Sequence, residues 1–465
     1  MKKRAGMKEF IDILENEQYA KNQVKRITAS VDRQWEISAV MRRIIELYPQ
    51  EKRPAVIFEN VKGSNVPLIT GVFLNRTRYA IALETKPEGI TERWVEALER
   101  PIEPKRVSNS PCKENKWTDE EIDLGRFPVP NWTPDIDPAP FITAPCVVTR
   151  DPSTHHTNVG VYRIMIKGKN KTGININPGQ SVESHLRKYQ EMNKPMPVAI
   201  AIGCDPSIYM VACAKVQEEE YAIAGGLVRR PIDVVKCETS DLEVPADSEV
   251  VIEGEIPPFE QELEGPFGEF TGYIGAKRNN PVINIKCITF RNNPIFHALV
   301  SQKPPSESSL LRGISYEGIL FHNLKYIRGL KGIHVTEAGA SHFVVVASIK
   351  RMFPGHAKQV MNAIWGVFPT LAKFMIVVDD DVDINDPDDV QWAVATRVQP
   401  ERDVTIMKGC QGLILDQSKP MDDPYSSKMG IDATKKHEFQ KVALPDEKYM
   451  KTVKEKWKEY GFEQK

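Results

Sequence analysis

The strongest constraint on the fold is a series of short apolar runs between residues 157 and 290. Each run is rich in β-branched residues, and turn-forming residues separate it from the next. This spacing is typical of a β-barrel or a β-sandwich. One helix, predicted over residues 181–193, interrupts the series. The runs are TNVGVYRIMI (157–166), PVAIAIG (197–203), DVVKCE (233–238), EVVIEGEI (249–256) and VINIKCITF (282–290).

The segment before this region mixes helix and strand patterns. Asp32 can cap a helix whose apolar residues start at Trp35 and which Pro49 ends. Residues 54–61 and 66–73 then have the composition of strands. Prolines recur between residues 101 and 145, so we expect an extended connection there that lies outside any sheet.

After residue 305 the pattern alternates between helices and strands. Such alternation predicts an α/β layer with parallel strand pairs. The predicted elements are a helix over 308–328, a strand over 342–349, a helix over 355–366, a strand over 373–380, a helix over 388–398 and a strand over 403–407.

These patterns predict a multidomain chain of mixed α+β and α/β class. We expect an N-terminal α/β lobe over residues 1–110 and a central β-rich, split-barrel-like domain over 111–320. A C-terminal α/β domain with a tail would cover 321–465 and serve for oligomerisation. The apolar outer faces of its helices, including Trp365 and Phe368, favour a homo-oligomer.

Charge and cysteine usage limit the class of protein. The chain has 465 residues with 62 Lys and Arg against 63 Asp and Glu, so no overall field would attract nucleic acid or an anionic membrane. No apolar run approaches the roughly 18 residues that span a bilayer, and no signal peptide is evident. The seven cysteines form no CxxC pair. We therefore expect free thiols and a cytoplasmic enzyme.

The common catalytic and phosphate-binding motifs are absent from the sequence, among them GxGxxG, GxxxxGK[ST], GxSxG and HExxH. An acidic run resembles a calcium loop only in part, because Ile384 stands where that loop needs glycine. We interpret this run as a solvated strand end, not a metal site. Its members are Asp379, Asp380, Asp381 and Asp383.

Two glutamates flank a tight turn in EGPFGEFTGY (264–273). Gly-Pro-Phe-Gly between Glu264 and Glu269 should fold back sharply. Two carboxylates held close in an apolar turn cannot both ionise cheaply, so one should keep its proton near neutral pH. Two surface glutamates around a turn would give the same sequence.

Polar residues also interrupt the first strand run. Arg163 follows apolar neighbours and, if buried, requires an anion. In a regular strand Asn158 and Arg163 would face opposite sides. A bulge at Gly160 would bring them together.

Several motifs in this order resemble those of UbiD-like decarboxylases. The similarity covers roughly residues 143–434. The motifs are NVGVYR (158–163), a KGKNK turn (167–171), GCDP (203–206), EEEYAIAGG (218–226), SDLEVPADSEVVIEGEI (240–256), EGPFGEFTGY (264–273), PGHAK (354–358) and SKMGIDAT (427–434).

The resemblance implies a flavin domain that binds prenylated FMN, a divalent metal (Mn²⁺ or Mg²⁺) and K⁺. Arg163, Glu264 and Glu269 match the family's catalytic set. Asn158 and Glu220 match metal ligands. Cofactor-binding positions implied by the match, with Lys358 chosen over Lys350 for the phosphate, are Asn158, Val161, Tyr162, Arg163, Asn175, Ile176, Asn177, Gln180, Ser181, Glu220 and Lys358.

One position departs from the family pattern. A gapless count from Arg163 puts Gln180 where the family commonly has a histidine ligand of the metal. Glutamine offers a neutral oxygen, which Mn²⁺ and Mg²⁺ accept but which binds transition metals less well than imidazole does. His185, five residues further on, would replace it only if the loop bends.

The resemblance implies reversible, non-oxidative decarboxylation of an aromatic, heteroaromatic or α,β-unsaturated acid. Loss of CO₂ from an sp² carbon needs an organic electron sink. Arg163 would hold the carboxylate, Glu264 would orient Arg163, and Glu269 would donate the proton. The implied partners are a small carboxylic acid substrate, a flavin prenyltransferase (UbiX-like) that supplies the cofactor, and further copies of the chain in a dimer or hexamer.

Other interpretations remain open at this stage. The alternative is a catalytically decayed or carboxylating subunit of a UbiD-like complex. A cofactor-free hydrolase using Glu264 and Glu269 is a third, although tryptophan, which glycosidases favour, is sparse. Four polar residues near a proline pair either border the substrate pocket or are ordinary loop residues: His297, Gln302, Glu307 and Arg312.

Overall fold

The N-terminal lobe is built on a four-stranded sheet. A computed structural model describes residues 6–214, 216, 218–420 and 423–462 of the chain. The strand order is β1-β2-β3-β19, so the last strand comes from residues far along the chain. The elements are α1 (Gly6–Asn16), β1 (Val24–Val31), α2 (Glu36–Leu47), β2 (Ala55–Val61), β3 (Leu68–Thr70), α3 (Arg76–Ala82), α4 (Ile90–Glu99) and β19 (Phe296–His297).

The predicted first helix and the two strands after it are confirmed, but the helix start is wrong. α2 begins at Glu36 with Trp35 as its N-cap, and Trp35 is exposed instead of facing the core. The Glu36 carboxylate accepts a hydrogen bond from the Asp32 backbone N–H (2.8 Å). This contact closes the turn before the helix, so Asp32 does not cap it by its side chain.

The central region forms a ten-stranded curled sheet. Its main order is β6-β9-β10-β18-β14-β11-β7-β8, and β5 and β15 also pair with β18. The strands are β5 (Asn115–Thr118), β6 (Phe141–Ile142), β7 (Cys146–Arg150), β8 (Thr157–Val161), β9 (Ile164–Ile166), β10 (Lys171–Ile174), β11 (Met196–Ile202), β14 (Val250–Ile256), β15 (Gln261–Glu264) and β18 (Arg278–Phe290).

Smaller elements lie around this sheet. They are the three-stranded sheet of β4 (Lys105–Arg106), β12 (Asp233–Lys236) and β13 (Glu243–Pro245), the hairpin of β16 (Phe267–Gly268) and β17 (Ile274–Gly275), and the helices α5 (Ser181–Glu191), α6 (Pro206–Ala212) and α7 (Glu220–Val228). The run at 197–203 is apolar throughout because both faces of β11 are buried. Val198 and Ile200 pack in one core, whereas Ala199 and Ala201 pack in another.

The predicted strand over 157–166 is in fact two strands that lie far apart along the sheet path. β8 is the last strand of this path and pairs with β7, whereas β9 is the second strand and pairs with β10 and β6. Only Tyr162 and Arg163 connect them, and such a link spans about 10 Å. In a flat sheet the six strand spacings between β9 and β8 would separate them by roughly 29 Å. The sheet must therefore curl until its ends meet, and Arg163 lies at that junction.

The proline-rich connection does not lie outside the sheet as expected. β5 pairs with β18 and β6 pairs with β9. Leu124, Phe127 and Trp132 are buried in the same core as the sheet. Short strands can alternate with prolines here because each pairs along only two to four residues.

The C-terminal layer is a five-stranded sheet with order β20-β21-β22-β24-β23. The pairs β21–β22 and β22–β24 are parallel as predicted, whereas β20–β21 and β23–β24 are antiparallel. The elements are α8 (Glu307–Leu324), β20 (Leu330–Val335), β21 (Val344–Ile349), α9 (His356–Val367), β22 (Phe374–Asp379), α10 (Pro387–Arg397), α11 (Pro400–Asp403), β23 (Val404–Gln411), β24 (Tyr425–Ala433) and α12 (Glu447–Glu455).

Trp365 and Phe368 do not form an outer apolar face. Trp365 is buried, and its Nε1 donates to the Ala372 carbonyl (2.8 Å). Phe368 packs on Tyr316 of α8 with ring centroids 5.3 Å apart. Phe368 therefore joins the C-terminal layer to α8, whereas Trp365 packs within the layer. Among the described residues, no helix has the length and apolar character needed to cross a membrane.

Candidate active site

Arg163 is the centre of a buried ion cluster. Its Nε and Nη2 donate to the two oxygens of Glu264 at 2.9 and 2.8 Å, and its Nη1 donates to Glu269 Oε1. Glu264 is fully buried, and Arg163 is largely so. A two-point contact fixes the plane of the guanidinium as well as its position. The structure thus brings together the three residues that the sequence selected as catalytic.

The break between β8 and β9, and not a bulge at Gly160, determines the direction of the Arg163 side chain. Pairing between β7 and β8 is regular through Gly160, so the expected bulge there is wrong. Beyond Val161 the chain leaves this pairing, and the Arg163 carbonyl accepts a hydrogen bond from Asn175 N (3.2 Å). Because the alternation ends at the break, Arg163 and Asn158 are free of the opposite-face relation that a single strand would impose.

Glycines leave room for the two carboxylates. Gly265 has φ +82°, which favours glycine, and a Cβ there would lie 3.1 Å from Arg163 Nη2. On the β16–β17 hairpin, a Cβ on Gly275 would lie 2.8 Å from Glu269 Oε1. Glu269 sits in the loop of this hairpin, where its N–H donates to the Tyr273 carbonyl (2.9 Å). The Gly-rich sequence therefore holds the acid close to Arg163.

The two glutamates differ in their surroundings. Burial raises the pKa of Glu269, the Arg163 guanidinium lowers it, and the negative charge of Glu264 raises it further; the net direction is upward. Glu264 has the bidentate contact with Arg163 and also accepts from Asn280 Nδ2 (2.9 Å). Burial and the neighbouring Glu264 therefore favour the protonated form of Glu269.

A second polar cluster lies on β8 and α7. Burial raises the pKa of Glu220 to about 8. Its Oε2 is buried and lacks a hydrogen-bond partner among the described residues. Asn158 is buried near it, and its Nδ2 donates weakly to the Tyr162 hydroxyl (3.5 Å). Burial also raises the pKa of Tyr162 to about 12. An orphaned carboxylate oxygen beside an amide fits a cation site.

The other predicted cofactor positions lie at the start of α5. Gln180 is the N-cap of this helix, and its Oε1 accepts a hydrogen bond from Asn177 N (2.7 Å). Ser181 is the first residue of the helix. A helix N-terminus favours anions such as phosphate. Gln180 therefore already shares its oxygen with the backbone, which weakens its suitability as a metal ligand.

His185 does not replace the missing histidine. It is buried on α5, and its Nδ1 shares a hydrogen bond with Thr149 Oγ1 (2.9 Å). Within the described ranges, no group of three or more His, Cys, Asp or Glu residues is arranged to hold a metal. Asn158 and Gln180 would contribute amide oxygens, and a group defined by His, Cys, Asp and Glu does not include amide side chains.

Several candidates lie elsewhere. Lys358 is exposed on α9 of the C-terminal layer, so it is not brought to the cluster, and Lys350 is also exposed. The acidic run forms ion pairs, and because Asp379 is buried, the interpretation of the run as a solvated strand end is wrong for this residue. Asp379 and Asp381 both accept from Arg397 (3.2 and 2.9 Å), and Asp381 also binds Lys435 (2.5 Å).

The four polar residues near the proline pair have different environments. Glu307 is buried and accepts four hydrogen bonds, from Thr70 Oγ1 and from the backbone of Gly71, Phe73 and Val300, so it joins the N-terminal lobe to α8. His297 packs against Tyr209 in the core.

The other two of these four residues are Gln302 and Arg312. Gln302 Nε2 donates to Ser38 Oγ (2.8 Å). Arg312 lies over the ring of Phe270, the residue after Glu269, at 4.3 Å. Of the four, Arg312 is the one that the structure places beside the β16–β17 hairpin.

One site residue escaped the sequence interpretation. Asn280 of β18 donates both to Glu264 Oε2 (2.9 Å) and to Asn175 Oδ1 (3.2 Å). It thereby connects Glu264 to the predicted flavin-lining segment. The strand also carries Arg278, Asn279 and Asn284, so its composition gave no signal that singled out Asn280.

Comparison with known proteins agrees with this geometry. Family profiles of 3-octaprenyl-4-hydroxybenzoate carboxy-lyase match the chain in three parts. They are the N-terminal domain at 16–98, the Rift-related domain at 105–304 and the C-terminal domain at 312–433.

Solved structures give the same result. The UbiD-class enzyme HmfF from Pelotomaculum thermopropionicum, solved with FMN, is 34% identical, with 96% of this chain and 99% of that chain covered and a TM-score of 0.88. Vanillic acid decarboxylase from Sedimentibacter hydroxybenzoicus is 31% identical (98% and 99% covered, TM-score 0.87). The 3,4-dihydroxybenzoic acid decarboxylase of Klebsiella pneumoniae is 27% identical (96% and 99% covered, TM-score 0.86). The chain therefore belongs to the UbiD family of carboxy-lyases.

Proposed function

We propose that this protein decarboxylates an aromatic, heteroaromatic or α,β-unsaturated carboxylic acid with prenylated FMN as its cofactor. The observation that carries the proposal is the contact of one guanidinium, Arg163, with the fully buried Glu264 and with Glu269, whose pKa is raised. Family membership as a carboxy-lyase supports the same reaction class. A cofactor-free hydrolase has no such support.

In this proposal each residue of the cluster has one role. Glu264 holds the guanidinium plane of Arg163, and Arg163 orients the substrate carboxylate. The bond between the carboxylate carbon and the sp² carbon breaks, and CO₂ leaves. The proton of Glu269 then forms the new C–H bond at that carbon. Solvent restores the proton to Glu269 before the next turnover.

The cofactor would lie between the curled sheet and the neighbouring helices. When bound, prenylated FMN supplies the electron sink for the pair left by CO₂. Asn158 and Glu220 would hold a divalent metal, with K⁺ nearby, and Gln180 would be a third ligand only if its Oε1 released the Asn177 N–H. The start of α5 would add backbone N–H donors for the phosphate. The remaining lining would come from Val161, Tyr162, Asn175, Ile176, Asn177 and Ser181.

Relatives support the cofactor and the kind of substrate. HmfF has been solved with FMN, and an evolved dimeric form of it has been solved with prFMN. The named relatives include decarboxylases of vanillic and 3,4-dihydroxybenzoic acid. We extend both features to this chain, with carboxylation as the reverse reaction at high CO₂.

The cellular setting follows from the same proposal. A UbiX-like flavin prenyltransferase would supply the cofactor. The protein would work in the cytoplasm, which agrees with its seven free cysteines. It would assemble as a homo-oligomer, with domains over 1–110, 111–320 and 321–465.

The decisive experiment is co-expression with a flavin prenyltransferase, followed by an absorption spectrum and a decarboxylation assay on a panel of unsaturated acids. We expect about one prenylated flavin per chain and CO₂ release from at least one acid. Solvent deuterium should appear at the former carboxyl position. A chain that binds the flavin but yields neither CO₂ nor exchange would instead be a decayed subunit.

A further inference from the structure

Asn280 lies on β18 where this strand meets two others. β18 pairs with β15 over 278–281 and with β10 over 282–284. Asn280 is buried, and its Nδ2 donates to Glu264 Oε2 of β15 (2.9 Å) and to Asn175 Oδ1 (3.2 Å). Asn175 directly follows β10 and begins the half-buried segment 175–177, which is predicted to line the flavin. One side-chain amide therefore contacts both the ion cluster and this flavin-lining segment.

The hydrogen bonds around Asn280 form a closed ring. Glu264 Oε2 also accepts from Arg163 Nη2 (2.8 Å), and the Arg163 carbonyl accepts from Asn175 N (3.2 Å). Arg163 is thus held at its guanidinium and at its backbone, and Asn280 connects the two points. A Cβ on Gly173 of β10 would lie 3.3 Å from Glu264 Cγ, so this glycine leaves the space in which the carboxylate reaches the ring.

The ring needs two N–H donors on one side-chain atom. Both partners of Asn280 Nδ2 are oxygens that accept. A carboxamide nitrogen carries two hydrogens, whereas a hydroxyl carries one and a carboxylate carries none. An aspartate at this position would place a further carboxylate against Glu264, and a leucine would fill the space without donating. The role therefore depends on the amide and not on the volume of the side chain.

We propose that Asn280 is a positioning residue that couples the flavin-lining segment to the Glu264–Arg163 pair. It keeps the two in a fixed relation, so that Arg163 meets the substrate carboxylate in one orientation. Its action is indirect, through Glu264 and Asn175. This inference rests on the proposed function.

The test compares Asn280→Leu with Asn279→Leu in the holoenzyme, with kcat expressed per bound flavin. Asn279 is the next residue of β18, is exposed and points to the other face of the strand, so Asn279→Leu should leave kcat unchanged. We expect Asn280→Leu to lower kcat roughly 10- to 10²-fold with a smaller change in KM, because a misoriented Arg163 affects the reacting geometry more than binding. Parental kcat in Asn280→Leu, a loss confined to KM, or an equal loss in Asn279→Leu would each overturn the proposal.

Asn280→Asp is a second variant of the same size, and its effect should depend on pH. An ionised aspartate repels Glu264, whereas a protonated one donates one O–H to it. The charged residues on the surrounding elements are common to parent and variant: Arg163, Lys167, Lys171, Glu262, Glu264, Glu269 and Arg278. We therefore expect the variant-to-parent ratio of kcat to rise roughly 10-fold as pH falls from about 8 to about 5. A ratio that does not change with pH would contradict the role of the two N–H donors.

A binding measurement separates this inference from the proposed function. Binding of FMN to the apo protein, followed by flavin fluorescence, needs no turnover. Because Asn175 loses its donor in Asn280→Leu, we expect FMN to bind roughly 10-fold more weakly than to the parent, with Asn279→Leu unchanged. If this difference appears but no acid is decarboxylated, the proposed function alone fails. Equal FMN affinity in the parent and in Asn280→Leu would overturn the coupling through Asn280.

Discussion

Glu264 engages Arg163 by two parallel contacts, Oε1 to Nε at 2.9 Å and Oε2 to Nη2 at 2.8 Å. This leaves Nη1, on the other edge of the guanidinium, for Glu269. Glu264 therefore contacts the Arg163 guanidinium at two points, and Glu269 contacts it at one. Glu264 is further held in position by Asn280, whereas Glu269 sits in a short hairpin and has the raised pKa.

The first prediction concerns Glu269→Gln. The variant keeps the size and polarity of the side chain but removes the transferable proton. We expect turnover to fall by at least the roughly 10²-fold typical of general acid–base catalysis, with flavin content unchanged. In the parent, the rate should decline as pH rises through the raised pKa of Glu269, because the donor then loses its proton. Near-parental turnover in the variant would remove Glu269 from this role.

The second prediction uses the space that Gly275 leaves. A Cβ there would lie 2.8 Å from Glu269 Oε1 and 3.3 Å from Arg163 Nη1, so Gly275→Ala must displace the acid. Because misplacing a catalytic group by about 1 Å can cost roughly 10²-fold, we expect a large loss of kcat with flavin retained. Gly366→Ala is the control, since nothing lies within 4 Å of the added carbon. Equal activity of the two variants would contradict the geometry.

The periodicity of the sequence predicted most strands of the central sheet but missed the helices α6 and α7. In α7 every residue from Glu220 to Val228 is buried. A helix buried all round has no polar face and therefore no amphipathic signal. Gly226 also lies against α4, where a Cβ would be 2.9 Å from Ala97 Cα. Two adjacent glycines in a sequence usually indicate a turn. In α7 they instead allow the helix to pack closely on its neighbours.

The sequence predicted those features of the site that depend on residues close together in the chain. The local sequence predicted that Glu264 and Glu269 lie close together, but Gly-Pro-Phe-Gly is not itself the tight turn. Phe267 and Gly268 form β16, and the turn follows Glu269. The end of β8 before Tyr162 was not predictable from the sequence. It depends on the two edges of the sheet meeting in the fold, and these edges come from distant parts of the chain. Asn280 reaches the site from β18, so its role depends on tertiary contacts that no local pattern records.

The third prediction concerns the orphaned oxygen of Glu220. If a metal neutralises this buried carboxylate, Glu220→Gln should lose most of the bound prenylated FMN after co-expression. The apo variant should be at least as stable as the parent, because it no longer buries an ionisable group. Glu218→Gln, on an exposed neighbour, should keep its flavin. Equal flavin content in the two variants would exclude Glu220 from the metal site.

The fourth prediction is that the protein is a homo-oligomer. The edge strand β23 is largely exposed and carries Ile406, 55% exposed, and none of the residues of α12 is buried. An unpaired, apolar edge is a surface that a second copy can cover. Sedimentation at micromolar concentration should show species heavier than the 52.6 kDa chain, and Ile406→Lys should weaken them. A single 52.6 kDa species in the parent would contradict this.

The fifth prediction concerns stability in acid. His297 is fully buried between Phe73 and Tyr209, and burial lowers its pKa from 6.5 to about 3. Above pH 6.5 the ring is neutral in both the folded and the unfolded chain, so it adds no pH dependence. Between pH 6.5 and 3 only the unfolded chain takes up the proton, so the free energy of unfolding falls as pH falls.

At pH 5 this loss amounts to about 2 kcal/mol. His297→Phe, which fits an aromatic cluster and does not titrate, should reduce the decline between pH 7 and pH 5 by about that amount in urea unfolding. His437→Gln, at an exposed position, is the control and should keep the parental decline. If the His297→Phe variant lost as much stability between these pH values as the parent, the acid sensitivity would have to come from other buried groups.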